Sequence, residues 1–143
     1  MPIMDDFLVF SEEQAPTTGT TASTNVIDTG IAGRSIGSGE EIELVVVVHT
    51  TATSGGSNTT QVVLQDSADN SSFATVLGSI ATAVASLTAG TELLRVKLPP
   101  GLRRYIRVAY IIATADLTAG KFNAYLTKDR QDNVAQASGF SVS

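Results

Sequence analysis

The chain has 143 residues, a formal charge of −5 and no cysteine. That length suits one domain with a core of its own, and the missing thiols exclude disulfides, zinc–thiolate sites, iron–sulfur clusters and cysteine nucleophiles. Net acidity argues against nucleic acid as a partner, and no apolar run approaches the roughly 20 residues that a membrane-spanning helix needs.

The first residues, Met1-Pro2-Ile3-Met4-Asp5-Asp6, lack the basic and apolar stretches of a signal peptide. Synthesis in a cytoplasm, without a membrane partner, is the expectation. Thr, Ser, Ala, Val and Gly dominate and Trp is missing, a mixture that favours strands and turns.

Period-two alternation recurs along the chain, while helical periodicity is scarce. Phe7 to Phe10 and Asn25 to Asp28 read as strands near the N-terminus, with a polar Thr/Ser loop between Ala15 and Thr24. Residues 1–24 are therefore expected to form an arm and loop region. Gly30, Gly33, Gly37 and Gly39 precede the next strand, in which Ile42, Leu44, Val46 and Val48 share a face. Val45 and Val47 make its opposite face apolar too, so cover on both sides or a subunit contact is expected. Ser54-Gly55-Gly56-Ser57-Asn58 reads as a hairpin loop leading to a shorter strand around Val62 and Leu64. Asp66 to Ser72 is a polar turn whose short side chains can bond their own backbone.

Ile80 to Leu87 reads as strand or loop, although its alanines also suit a short helix. Leu94, Val96 and Leu98 alternate with Arg95 and Lys97 before Pro99-Pro100-Gly101 ends that strand. Ile106, Val108, Tyr110 and Ile112 share a face in the next, and Phe122, Ala124 and Leu126 in the last. Leu87-Thr88-Ala89-Gly90 recurs as Leu117-Thr118-Ala119-Gly120 and reads as a reused turn leading into a strand. A C-terminal tail is expected over residues 131–143. About seven or eight short antiparallel strands in a single all-β domain imply a sandwich, jelly roll or barrel.

The search for chemistry finds little. His49 is the only histidine and ends an apolar strand, so it reads as a strand-end residue rather than a general base. Glu41 and Glu43 share a strand face, and Asp66 and Asp69 share a turn, but both pairs read as solvated polar positions. The Asp66 turn lacks calcium-loop order, with neither glycine at its sixth position nor an acid at its twelfth, Leu77. No catalytic, cofactor or metal residue is assigned.

Charge, by contrast, is unevenly spread. Residues 1–72 carry ten acidic groups against Arg34 alone, net −9, and residues 73–143 carry net +4. Such asymmetry steers a protein onto a charged partner or a copy of itself. The field averages out if the two halves interleave in the fold. Arg103, Arg104 and Arg107, with Tyr105 between, form the densest basic group. On a strand Arg103, Tyr105 and Arg107 share one face, either as a protein-docking patch or as a solvated face paired with acids.

Several stretches resemble the capsid cement (decoration) proteins of some short-tailed bacteriophages, the type known from a Bordetella phage. They are Ser23-Thr24-Asn25-Val26-Ile27-Asp28, then Val62-Val63-Leu64-Gln65 leading to Ser67-x-Asp69-Asn70-x-x-Phe73, then Ala85-Ser86-Leu87-Thr88-Ala89-Gly90-Thr91. Leu98-Pro99-Pro100-Gly101-x-x-Arg104-Tyr105, Thr118-Ala119-Gly120-Lys121 and Leu126-x-x-Asp129-Arg130 follow in order. The resemblance implies a jelly roll that forms a homo-oligomer, dimer or trimer, on the outer surface of an icosahedral head. There it bridges major capsid subunits and resists internal DNA pressure, with neither enzyme activity nor a cofactor. The competing expectation is a carbohydrate-binding jelly roll of a virion or secreted protein.

Overall fold

The computed structural model describes residues 9–28, 42–99 and 101–127. Ten strands form among them: β1 (Val9–Gln14), β2 (Gly19–Ala22), β3 (Ile27–Asp28), β4 (Glu43–Ser54) and β5 (Thr59–Ser67) come first. β6 (Ala74–Gly78), β7 (Thr82–Ala83), β8 (Glu92–Lys97), β9 (Tyr105–Ala113) and β10 (Leu117–Thr127) complete the set. One sheet runs β1-β10-β4-β8 and the other β2-β9-β5-β6, with β3 also on β9 and β7 also on β5. β5 occupies one edge of β9 along its whole length, so β2 and β3 must share the other. By the same reasoning β6 and β7 share the outer edge of β5.

Every pairing is antiparallel, and the pairs nest: β1 with β10, β2 and β3 with β9, β4 with β8, β5 with β6 and β7. Nested pairs wrapped into two facing sheets make a jelly roll. The all-β, single-domain jelly-roll sandwich expected from the alternation is the fold observed.

The core lies between the sheets. Leu44, Val46 and Val48 of β4 join Phe122, Ala124 and Leu126 of β10 in one buried cluster. Val62 and Leu64 of β5 and Ile106, Val108 and Tyr110 of β9 complete it from the other sheet. Each such side chain contributes about 1.5–3 kcal/mol on burial. Tyr110 packs on Phe122 with ring centroids 5.4 Å apart. Its hydroxyl is enclosed in the core on the side of Ser11. Val45, on the opposite face of β4, is also fully buried and packs with Val9, Tyr125 and Val47.

Some boundaries differ from the sequence reading. The loop expected between Ala15 and Thr24 carries β2, because Thr20 and Thr21 pair with Ile111 and Tyr110 of β9 at a sheet edge. Together with β1, it places ordered strand inside the arm assigned to residues 1–24. Ile80 to Leu87 divides into β7 and a 3₁₀ turn over Val84–Ser86. The repeated tetrapeptide also splits. Leu87 to Gly90 is a turn ahead of β8, whereas Leu117 to Gly120 lies inside β10. Residues 1–8, the glycines from 30 to 39, Pro100 and the tail over 131–143 lie outside the described residues.

The two glycines of that repeat differ in what surrounds them. Gly120 has φ +135°, and a Cβ there would lie 2.9 Å from both Cα and Cβ of Ala52 on β4. Gly90 has φ +88° with open space around it. Gly120→Ala is therefore expected to destabilise by about 2–4 kcal/mol through strain and overlap together. Gly90→Ala should cost only about 1–2 kcal/mol, from its backbone conformation alone. Urea unfolding of the two variants checks the difference, and equal losses would disprove the close approach of β10 to Ala52.

Candidate interaction surface

The basic segment expected to form one patch is divided by the strand boundary. Leu102 is buried and anchors the chain ahead of β9. Arg103 therefore precedes the strand, and the alternation that sends Ile106, Val108 and Tyr110 inward leaves Tyr105 and Arg107 on the outer face. Tyr105 and Arg107 share that outer face of β9. Arg103 is turned elsewhere.

Arg103 braces the end of β5. Its Nε donates to Asp66 Oδ1 at 3.1 Å, its Nη2 to the same oxygen at 2.8 Å, and its backbone N–H to Oδ2 at 3.1 Å. Nη2 also donates to the Asp66 carbonyl at 2.8 Å. Asp66 is only 7% exposed, so this set satisfies a carboxylate that would otherwise be costly to bury. The Arg103 side-chain bonds hold the Asp66 carboxyl below its ordinary range against the opposing effect of burial. The same bonds raise Arg103.

Arg104 makes a forked contact with Asp28 of β3, Nε to Oδ1 at 2.8 Å and Nη2 to Oδ2 at 3.0 Å. Its guanidinium also lies over the Tyr105 ring, 4.9 Å from the centroid. Asp28 is the register partner of Tyr105, which explains why the three meet.

Arg107 differs from both. Its Nε donates to Oε1 of Gln65, its register partner on β5, at 2.8 Å. Its guanidinium stacks on Phe73, 3.8 Å from the ring centroid. Desolvation lowers the pKa of Arg107, whereas Asp28 raises that of Arg104. The sequence reading did not assign Phe73 and Gln65 to this site. Their signal is the hairpin from β5 to β6, which brings the residue after the polar turn back beside β5.

The polar turn is a closed hydrogen-bonded unit. Asp69 Oδ1 accepts from the backbone N–H groups of Ser71 and Ser72, both at 2.9 Å, and from the Ser67 hydroxyl at 2.8 Å. The backbone bonds to Ser72 and Ser71, followed by the Ser67 hydroxyl, lower its pKa to about 2. Asp66 is engaged by Arg103, so both carboxylates of the turn accept hydrogen bonds from within the chain. No group of three or more His, Asp or Glu side chains placed to hold a metal occurs among the described residues.

His49 lies at the surface, with Nε2 3.2 Å from Glu13 and Nδ1 3.1 Å from the Thr50 hydroxyl. Glu43 pairs with Arg95 at 3.4 Å, and Glu41 lies outside the described residues. Gly33-Arg34-Ser35-Ile36-Gly37, which the sequence reading passed over, has the spacing of a serine nucleophile elbow. It too lies outside the described residues.

Part of the uneven charge is met by pairing among the described residues. Glu43 with Arg95, Asp66 with Arg103 and Asp28 with Arg104 each join an acid of the first half to a base of the second. The halves interleave. No helix among the described residues is long and apolar enough to cross a membrane.

A lowered carboxylate pKa contributes stability above the unfolded value, 3.8 for both aspartates, and that contribution is lost as pH falls through the folded value. For Asp69 the loss runs from 3.8 down to about 2. Asp66→Asn is expected to cost about 2 kcal/mol near pH 7, the scale for a hydrogen bond to a charged group. The gap should narrow as pH falls below 3.8 and through the lowered folded-state pKa, where the wild-type carboxylate itself protonates. Urea unfolding across a pH series is the check, and a gap that does not change with pH contradicts the assignment.

A family model matches residues 10–126, and the chain belongs to that family, Bbp16. The family is of the Bordetella phage type and is consistent with a phage protein. No curated protein matches the sequence.

Proposed function

We propose that this protein is a capsid cement protein of a tailed phage, acting without catalysis on the outer surface of the icosahedral head. A homo-oligomer bridges neighbouring major capsid subunits and braces the shell against the pressure of packaged DNA. The observation that carries this reading is the coincidence of family and fold. The Bbp16 match begins one residue inside β1 and ends one residue before the end of β10, so the family unit is the sandwich itself.

The physics of the described residues supports the same role. A cement protein works through many modest contacts on a lattice, where the second and later contacts form at high effective concentration. That arrangement favours a stiff scaffold with surfaces ordered before binding, because ordering side chains on contact costs affinity. Here the polar turn is closed by Asp69, and the segment ahead of β9 is held by Arg103 on Asp66.

Purified protein added to DNA-filled heads that lack it should bind saturably, at a fixed ratio to the capsid subunit. It should also raise the temperature at which the heads release DNA. Heads that take up none of the protein, by sedimentation and electron microscopy, would refute the proposal.

A further inference from the structure

Four arginines lie among the described residues. Arg95, Arg103 and Arg104 each face a carboxylate, on Glu43, Asp66 and Asp28. Arg107 has no acidic partner among the described residues. It is nevertheless held in place, stacked on Phe73 at 3.8 Å and bonded through Nε to Gln65 at 2.8 Å. A guanidinium has five N–H donors, and the fork of its terminal nitrogens matches a carboxylate. At Arg107 that fork is left open.

Val63 and Ala109, on the same outward parity as Arg107, are buried, so the stretch of face beside the guanidinium is already filled from within the protein. Gln61 is tied to the Ser79 carbonyl at 2.9 Å, which orders the amide that flanks Val63. Burial around Arg107 disfavours its charged form, and no carboxylate among the described residues offsets that cost. A carboxylate delivered from outside would offset it and would meet a donor that has already lost its rotamer freedom.

We propose that Arg107, on its Phe73 platform, is the docking residue of the outer β9–β5 face and receives an aspartate or glutamate side chain of the capsid subunit. This assignment rests on the cement reading above. It divides the basic segment by role: Arg103 and Arg104 are internal braces, and Arg107 faces the partner.

The test uses full-length protein and DNA-filled heads that lack it. Arg107→Glu should weaken head binding about 30-fold or more, the scale of a central interface residue. Arg107→Lys, which keeps the charge and loses the fork, should weaken it about 10-fold. Phe73→Leu should weaken it several-fold by freeing the guanidinium. Melting and sedimentation of the free protein should stay as in wild type for Arg107→Glu and Arg107→Lys.

Wild-type binding with undiminished binding of Arg107→Glu overturns this assignment and leaves the cement reading standing. Dissociation of the free oligomer by Arg107→Glu would place Arg107 between copies and overturn it as well. Failure of the wild type itself to bind heads removes the cement reading, and the assignment with it.

Discussion

The apposition of two apolar strand faces is the constraint on which the rest of the molecule depends. β4 and β10 present Leu44, Val46, Val48, Phe122, Ala124 and Leu126, and β5 and β9 answer with Val62, Leu64, Ile106, Val108 and Tyr110. These four strands are the inner positions of their sheets. Because side chains alternate along a strand, fixing the inward set fixes the outward set as well. The outward direction of Arg107 thus follows from the packing of Ile106 and Val108.

Electrostatics then works at the seams. The three pairs Asp28–Arg104, Glu43–Arg95 and Asp66–Arg103 all join residues remote in sequence. Glu43–Arg95 joins neighbouring strands, while Asp66–Arg103 and Asp28–Arg104 tie strands to the segment that enters β9. Exposed pairs of this kind contribute little to stability, and Asp28–Arg104 belongs with them. Asp66–Arg103 is the stronger case, since the carboxylate is nearly buried and accepts three bonds from Arg103. In these three pairs, acids of the first half of the sequence are wired to bases of the second.

What the sequence revealed depended on local periodicity. β4, β8, β9 and β10 were legible because large apolar residues recur at every second, inward position, even where, as with Val45 and Val47 of β4, the outward face is apolar too. β2 was not, since Thr20 and Thr21 look alike on both faces and only pairing with β9 makes them a strand. The second copy of the Leu-Thr-Ala-Gly repeat misled for a related reason. A glycine reads as a turn, but Gly120 serves the close approach of β10 to Ala52. In the candidate site, Tyr105 and Arg107 were found by composition and spacing. The detachment of Arg103 was hidden because it depends on where β9 starts, and Phe73 and Gln65 were hidden because their roles depend on register across strands.

The nesting of the strands has a kinetic side. β5 and β6 meet across a short turn, whereas β1 finds β10 only after nearly the whole chain is in place, with Val9 opposite Tyr125. Loop-closure entropy penalises that outermost pairing most, so topologies of this kind fold slowly. β1 also pairs through two register irregularities, the second spanning Glu13 with its φ of +48°. Among the pairings of the described strands, its pairing with β10 is the one with the longest loop to close. A chain in which that seam has not yet closed presents the bare edge of β10 beside Phe122 and Leu126, a template on which another unfinished copy can add a strand. The hazard is therefore confined to chains in which that outermost pairing has not formed.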